Sequence, residues 1–522
     1  MPPLRDDRHA IGRRAAVFGG FTLLSRIAGL ARDMAIAACL GTRFNADAFY
    51  VAFRIPNLLR RLLAEGAMTM AFVPIYASYR RQSAAEAHRA ASVILTSLLT
   101  LLLLLLLGGV VAAPWLVRLI ATGFIHDPVK FELTVALTRV MFPYLLCVSV
   151  MALLMGMLQV ERHFTAPAAA PIFLNLMMIA AAVWLAPYFT EPAYALAIGV
   201  VAGGLAQLAV QLPPLWRRHI VPGLSFAWRH PALRQLIRVM IPSLYGGAVY
   251  QLNVLMITLL ASFLAEGSVS YLWYADRITE FPLGIFAVAL ATVTLPTLSD
   301  QQNARDLTAF KETVNLSLRI ALAEAIPAAV GLILLARPIV RLLFERGAFS
   351  AASTDGTVAA LYGFAVGIPF VSAVRNIVPA FYAMQRPRAP VWAATVGLVT
   401  NGVAALVLMR WRQHQGLALA MAVSSAAQLG FLGWWLRRLI GPFGGRRLLR
   451  GAIGSCAATL CMAGVVWGLA CGIALTDVTS RSRLFGGVSL CIALGALTYL
   501  LGLRWLAREE YRHCVAMFCR RR

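Results

Sequence analysis

A chain of 522 residues that is 60% hydrophobic and only 13% charged cannot bury its apolar surface in a water-soluble core. Soluble domains are about 45–50% apolar and about 25% charged, so lipid must be the solvent for most of this surface, as the mean hydropathy of +0.75 also indicates. The formal net charge of +25 would suggest nucleic acid in a soluble protein, but no segment between the apolar runs is long enough to fold separately, so we expect no nucleic-acid partner.

The chain divides into about fourteen apolar runs, each near the roughly 20 residues that a helix needs to cross a bilayer. Their predicted centres are Leu23, Met68, Leu103, Leu146, Met177, Val201, Val254, Phe286, Ala329, Gly367, Leu398, Ala427, Val465 and Ile492. Residues 1–14 are polar and basic and lack a signal-peptide cleavage site, so the first run is expected to remain as a spanning helix. The pattern predicts an all-α polytopic membrane protein with about 14 transmembrane helices and short loops.

Arginine and lysine are distributed unevenly over the loops. If the N-terminus is cytoplasmic, eighteen Arg and Lys residues fall in cytoplasmic loops, near residues 80–89, 162, 217–238, 305–311, 386–388 and 437–450. Ten more fall in the two tails. The outer loops carry only nine. Because cytoplasmic loops are enriched in Arg and Lys, the bias predicts that both termini are cytoplasmic and that the number of helices is even.

An internal repeat is visible at an offset of 226 positions. Pro143, Gln159, Arg162 and Asn175 return as Pro369, Gln385, Arg388 and Asn401, while Arg54 and Pro74 return as Arg277 and Pro296 at offsets of 223 and 222. Since the offset spans six helices, the copies have the same orientation, and transporters built from such parallel repeats bind substrate between the halves. We predict a cytoplasmic tail (1–14), an N-lobe (15–222), a C-lobe (223–445), two extra helices (446–506) and a basic cytoplasmic tail (507–522).

Charged residues interrupt the first two apolar runs, namely Arg26, Arg32, Asp33, Arg54, Arg60, Arg61 and Glu65. A charge near the bilayer centre costs at least ~2.5–3.5 kcal/mol, so these side chains are expected to face a hydrated cavity or an anionic ligand. Arginine suits phosphate because its planar guanidinium donates two parallel hydrogen bonds. The alternative is that they reach the membrane interface or pair structurally, as Arg32 with Asp33 or Arg61 with Glu65.

A second charged group lies in the segment 274–282 (YADRITEFP), where Arg277 is the repeat partner of Arg54. Asp276 and Glu280 are four residues apart and share a helix face, which favours a cavity lining or a gate. The alternative is a set of residues at the outer membrane interface.

One predicted span contains several polar or helix-breaking residues, namely Pro242, Gly246, Gly247, Gln251 and Asn253. This set predicts either a bend in the helix or ordinary small-residue packing. Asn175 and Asn401 are expected to form interhelical hydrogen bonds.

Catalytic and metal-binding motifs are missing from the sequence. No GxSxG, Walker loop, CxxC or Cys/His metal-ligand spacing occurs, so we expect neither an enzyme nor a metal or cofactor site. Since no ATP-binding segment exists, any transport is expected to be coupled to the membrane potential, an ion gradient or a downstream sink.

Several motifs resemble the MurJ/MviN family of lipid II flippases, within the multidrug/oligosaccharidyl-lipid/polysaccharide exporter superfamily. They are residues 25–33 (SRIAGLARD), 47–61 (DAFYVAFRIPNLLRR), 64–67 (AEGA), 71–74 (AFVP), 274–282 (YADRITEFP) and 344–349 (FERGAF). The resemblance covers nearly the whole chain.

The resemblance implies two six-helix lobes plus two extra helices, a place in the bacterial inner membrane and a role in peptidoglycan synthesis and cell shape. The implied substrate is lipid II, the undecaprenyl-pyrophosphate-linked precursor, with its tail in a groove formed by the last two helices. Implied partners are membrane lipids and other cell-wall synthesis or division proteins. The candidate substrate or cavity residues are Arg26, Arg54, Arg277, Arg32, Arg60, Arg61 and Asp47. The candidate gate or supporting residues are Asp33, Glu65, Asp276 and Glu280.

One departure from the family pattern concerns cations. Where many relatives have Asp-x-x-x-Pro after the pair Phe381-Tyr382, this chain has the run 386–390 (RPRAP), and no Asp or Glu occurs between Asp355 and Asp477. This argues against a sodium site built from carboxylates in the second lobe.

Four alternatives to a lipid II flippase stay open. Another lipid-linked oligosaccharide flippase or a drug/cation antiporter of the same superfamily would share the fold, although an antiporter needs buried carboxylates. A membrane glycosyltransferase would need larger outer loops, and a non-transporting scaffold would not explain arginine within the spans.

Overall fold

A computed structural model describes residues 5–60, 68–475, 478 and 480–519, and each regular element within these ranges is helical, which confirms the predicted all-α class. The first eight α-helices are α1 (Arg5–Leu40), α2 (Phe44–Leu59), α3 (Thr69–Gln82), α4 (Ala84–Ile120), α5 (Pro128–Met141), α6 (Pro143–Val160), α7 (Thr165–Ala180) and α8 (Pro192–Arg217). The next ten are α9 (Pro231–Ser262), α10 (Ser268–Pro282), α11 (Val288–Asn303), α12 (Leu307–Leu334), α13 (Ala336–Phe344), α14 (Ala351–Ala383), α15 (Arg388–Ile440), α16 (Gly445–Gly472), α17 (Arg481–Leu506) and α18 (Arg508–Cys519).

Several helices begin where a polar side chain caps the backbone. Ser83 Oγ accepts a hydrogen bond from the Glu86 amide (3.0 Å) at the start of α4, and Asp306 caps α12 through the Ala309 amide (2.9 Å). Asp127 accepts from the Lys130 amide (3.1 Å) and precedes Pro128, which is suited to the first helical position. These caps satisfy amides that would otherwise lack partners at helix starts.

Nine helical stretches within the described residues are long and apolar enough to cross a membrane. One of them, α15, is 53 residues long and contains the non-helical residue Gln413 (φ 46°), which divides it into two helical segments. The predicted span around Met68 is shared between α2 and α3, and the one around Phe286 contains a π-helical turn (Leu283–Ala287) after Pro282. The count of 14 spans stays a prediction.

The chain forms two compact units. The first comprises Met1–Gln251 with the short segment Arg346–Phe349, and in it α1 packs on α7, α2 on α5, and both α6 and α7 on α8. The second comprises Leu252–Glu345 and Ser350–Arg522, and in it α14 packs on α12 and α15, while α16 packs on α12 and α17. The units divide within α9, and the predicted lobe limits stay predictions.

The two predicted asparagine contacts are confirmed, and they are equivalent in the repeat. Asn175 on α7 donates through Nδ2 to the Ser25 carbonyl on α1 (3.2 Å), and Asn401 on α15 donates to Asn253 Oδ1 on α9 (2.6 Å). In each copy the asparagine therefore joins the fifth predicted span to the first.

Candidate functional site

The charged residues of α1 form a short network with α7. Arg32 donates through Nε (3.0 Å) and Nη2 (2.7 Å) to Asp33 Oδ1, which is the structural pairing named above as the alternative, and through Nη1 to Asn175 Oδ1 (3.1 Å). Asp33 is buried. Arg26, in contrast, is exposed on α1 and is accessible to a ligand. The network fixes α1 against α7 and holds Arg32 in place.

Asp47 on α2 forms a buried ion pair with Lys130 on α5. The Asp47 Oδ2–Lys130 Nζ distance is 2.8 Å, and the side chains are only 2% and 8% exposed. The ammonium of Lys130 also lies 4.3 Å from the centre of the Phe124 ring. This ion pair joins α2 to α5 within the first unit, and both of its charges are removed from water. The proposed contact of Asp47 with substrate stays a prediction.

Arg54 lies within α2, and Arg60 follows its last residue. Arg54 is half-buried one turn after Tyr50, and Arg60 donates through Nε to Asn57 Oδ1 (3.0 Å). Pro56 lies inside the helix between them, and the backbone continues into a π-helical conformation at Arg60. The predicted site residues Arg61 and Glu65 lie outside the described residues.

The second unit carries its own charged group on α10. Arg277 Nη1 donates to Glu280 Oε2 (3.0 Å), and its guanidinium lies 4.9 Å from the centre of the Trp273 ring. Asp276 is half-buried, and its carbonyl accepts from the Thr279 hydroxyl (2.9 Å). Glu280 stays partly accessible. The structure thus pairs Arg277 with Glu280 within the same helix.

The segment 344–349, which the sequence analysis gave no role, contributes to both units. In the second unit, Glu345 Oε2 accepts from the Thr354 hydroxyl (2.6 Å), and its Oε1 lies 3.5 Å from Arg341 Nε. In the first unit, the Ala348 amide donates to the Ala38 carbonyl at the end of α1 (2.8 Å). Gly347 has φ +57°, a conformation that L side chains rarely adopt, and an added Cβ would lie 2.3 Å from the Ala38 oxygen.

Gly347→Ala is therefore expected to weaken the attachment of residues 346–349 to α1. A left-handed non-glycine residue costs roughly 1–2 kcal/mol, and the clash with Ala38 adds to this. We expect a lower melting temperature for the purified variant. The matched control is Gly464→Ala in α16, where a Cβ meets nothing within 4 Å and the melting temperature should not fall. Equal melting of wild type and Gly347→Ala would show that this contact contributes little.

An apolar groove of about 450 Å³ lies in the second unit between α12 and the last two membrane helices. Its lining includes Pro327, Met462, Cys491 and Tyr499, and one acidic residue, Glu324. Glu324 Oε2 is buried without a hydrogen-bond partner among the described residues, a feature that no motif signalled. The tail groove implied by the family resemblance would lie here, and its occupation by lipid stays a prediction.

Over the described ranges, no group of three or more His, Cys, Asp or Glu side chains is placed to hold a metal ion.

Comparison with known proteins adds independent information. A family model described as "Lipid II flippase MurJ" matches residues 36–480. The lipid II flippase MurJ of Burkholderia cenocepacia is 36% identical over 512 residues, which cover 96% of this chain and 98% of that protein. A probable lipid II flippase MurJ of Bdellovibrio bacteriovorus is 34% identical, with 97% of each chain covered.

Solved structures agree with these relatives. A lipid II flippase MurJ in an inward closed conformation superimposes with a TM-score of 0.79 at 25% identity, over 95% of this chain and 99% of the other. An inward-facing multidrug transporter of the MATE family gives a TM-score of 0.65 at 16% identity, over 83% of this chain and 99% of that one, which supports a shared fold alone.

Proposed function

The chain belongs to the MurJ family of lipid II flippases, and we propose that it moves lipid II from the cytoplasmic to the periplasmic leaflet of the inner membrane by alternating access. It is a multi-pass membrane transporter and not an enzyme. Lipid II serves peptidoglycan synthesis, so the protein acts in cell-wall biogenesis. The observation that carries the mechanism is a half-buried arginine in a helix of each unit, at Arg54 in α2 and Arg277 in α10.

The chemistry of the substrate fits this arginine set. A pyrophosphate carries several acceptor oxygens, and guanidinium groups bind such oxygens with paired, charge-assisted hydrogen bonds. We propose that Arg26 and Arg54 from the first unit and Arg277 from the second contact the pyrophosphate, with Arg60 and Arg61 nearby. The polyprenyl tail stays in lipid, while the polar headgroup passes through a hydrophilic path. Rocking of one half against the other would then change the side from which the headgroup is accessible.

The internal contacts suggest different roles for the remaining candidates. Arg32 is held by Asp33 and Asn175, and Asp47 by Lys130, so we propose that these residues support the cavity wall. Glu280, bonded to Arg277, is positioned to release that arginine when an anion arrives. Asp276 and Glu65 complete the proposed gate.

Energy coupling and orientation form a further part of the proposal. The positive-inside bias supports cytoplasmic termini. An inside-negative potential then favours outward movement of an anion by about 2.3 kcal/mol per charge per 100 mV for a full crossing. Because no Asp or Glu occurs between Asp355 and Asp477, we propose coupling to the potential in preference to a cation site in that stretch. Other cell-wall synthesis proteins are proposed as partners.

The direct test uses the purified protein alone in liposomes that contain lipid II. We expect lipid II headgroups to become accessible to a membrane-impermeant reagent, faster than in protein-free liposomes and faster still under a potential of the favourable sign. A drug/cation antiporter would instead exchange organic cations for protons or sodium in the same vesicles. Lipid II movement at the protein-free rate under both polarities would refute the proposal.

A further inference from the structure

A separate cavity of about 1390 Å³ lies in the second unit among α12, α15, α16 and α18, and it contains none of the residues assigned to lipid II above. Five cationic side chains line it: Lys311, Arg319, Arg437, Arg446 and Arg447. Two carboxylates, Glu312 and Glu509, line it as well. Positive charge therefore exceeds negative charge in the lining, which favours an anionic ligand.

The start of α16 adds to this preference. Asn315 Nδ2 donates to the carbonyls of Phe443 and Gly444, both at 2.9 Å, and so holds the turn before α16. Gly441 and Gly444 have φ of +77° and +86°, which glycine permits. No side chain caps the 28-residue helix at Gly444, and both Gly444 and Gly445 line the cavity. Helix starts with open amides attract anions through the helix dipole.

The helix α18 forms ion pairs with one of the five cations, Arg319. Arg319 bonds to Glu509 (2.7 Å) and to Glu510 (2.5 Å), and this arginine lowers the pKa of the exposed Glu509 carboxyl. Within the described ranges, the other four lining cations make no side-chain hydrogen bond or ion pair. Lys311 is half-buried, whereas Arg437, Arg446 and Arg447 are exposed. Lys311, Arg437 and Arg446 are thus available to a ligand, and Arg447, whose charge also acts on Glu509, lines the same space.

The lining also contains apolar residues and two glycines. Leu316, Leu429 and Trp434 line the cavity, and Gly430 and Gly433 lie one turn apart on α15. A Cβ added at either glycine would meet nothing within 4 Å, so the two glycines leave space and do not serve close packing. A ligand with an anionic group and adjoining apolar atoms would match both the cationic and the apolar residues of the lining.

We propose that this cavity binds a phosphate-bearing anion, and that the anion is the headgroup of an anionic glycerophospholipid and not free phosphate. Three of the four helices around it are long and apolar enough to span the membrane, so the acyl chains of a lipid bound here could lie against them. Basic pockets between membrane helices on the cytoplasmic side are a recognised form of lipid-headgroup site. This inference goes beyond lipid II transport and does not depend on it.

The test measures lipid binding without measuring transport. Purified protein in neutral detergent is titrated with phosphatidylglycerol, phosphatidylcholine or inorganic phosphate, and thermal unfolding and retained lipid by native mass spectrometry are recorded. One variant replaces Lys311, Arg437, Arg446 and Arg447 with Gln. A second, Gly433→Leu, fills the cavity without changing charge. The control replaces four exposed arginines elsewhere, at Arg217, Arg229, Arg234 and Arg238, with Gln.

Phosphatidylglycerol is expected to stabilise the wild type and the control, since a ligand that binds the folded state raises its stability. Both cavity variants should need at least roughly tenfold more phosphatidylglycerol to reach the same increase in unfolding temperature. The four-residue variant loses the contribution that each Lys or Arg makes near an anionic lipid. In Gly433→Leu, the leucine fills the space that the lipid would occupy. Equal responses in the wild type and Gly433→Leu would overturn the site, even if the four-residue variant failed to fold. Stabilisation by inorganic phosphate but not by phosphatidylglycerol would overturn the lipid assignment.

Discussion

Asp47→Ala is expected to destabilise the protein by about 3–5 kcal/mol, because removal of one partner from a buried ion pair leaves the other charge uncompensated. Lys130 is 8% exposed and Asp47 2% exposed, so water cannot replace the missing partner. Lys130→Ala should have a similar effect. Thermal unfolding of the purified variants, with the amount of folded protein in the membrane, measures the loss. A decrease of this size is large beside a typical stability of about 5–15 kcal/mol.

The double variant Asp47→Leu/Lys130→Met separates stability from transport. Apolar replacement of a whole buried pair is often neutral or stabilising, so the double variant should recover most of the stability that either single variant loses. If flipping also recovers, Asp47 acts by supporting the fold. If stability recovers and flipping does not, Asp47 contacts the substrate path as the family resemblance implies. A double variant as unstable as the two single losses combined would contradict the ion-pair argument.

A surface pair gives the matched control. Arg80 lies 2.5 Å from Glu161, but its side chain is 37% exposed. Exposed ion pairs contribute about 0–1 kcal/mol, so Arg80→Ala should unfold close to the wild-type temperature.

The sequence was sufficient for those features that depend on local pattern. Apolar runs predicted the all-α membrane class, because lipid selects for helices of sufficient length and hydropathy. Asn175 and Asn401 were identified as interhelical because a polar side chain in a span must find a partner. Arg32 and Asp33 are neighbours in sequence, so their pairing required no knowledge of the tertiary fold.

Contacts between distant segments could not be predicted in this way. Charge counting over the loops does not show that α5 carries Lys130 to Asp47, 83 residues away. The predicted basic tail (507–522) contains α18, and only helix packing places its Glu510, 4% exposed, against Arg319. Glu324 lies in an apolar run without a motif, and only helix packing places it in the groove.

The arginine proposal predicts the largest effect on transport. Arg54→Ala should nearly abolish flipping, and Arg54→Lys should weaken it, because an ammonium replaces a guanidinium that donates two parallel hydrogen bonds. Hydrogen bonds to charged groups contribute about 1.5–3 kcal/mol each, so loss of even one corresponds to roughly tenfold or more in rate or affinity. The measurement is the lipid II flipping rate in liposomes, normalised to inserted protein. Arg229→Ala, at an exposed loop position, should flip lipid II at the wild-type rate.

The variant with Ala at Arg26, Arg54 and Arg277 tests whether the two halves of the chain act on one anion. Because Arg277 bonds to Glu280, its removal also frees a carboxylate that would repel pyrophosphate, so Glu280→Gln is added in a parallel variant. If the arginines bind pyrophosphate directly, the triple variant stays inactive with or without Glu280→Gln, while its insertion is normal. If Arg277 only neutralises Glu280, then Glu280→Gln should restore flipping to Arg277→Ala. Full flipping by the well-inserted triple variant would exclude arginine recognition of the substrate altogether.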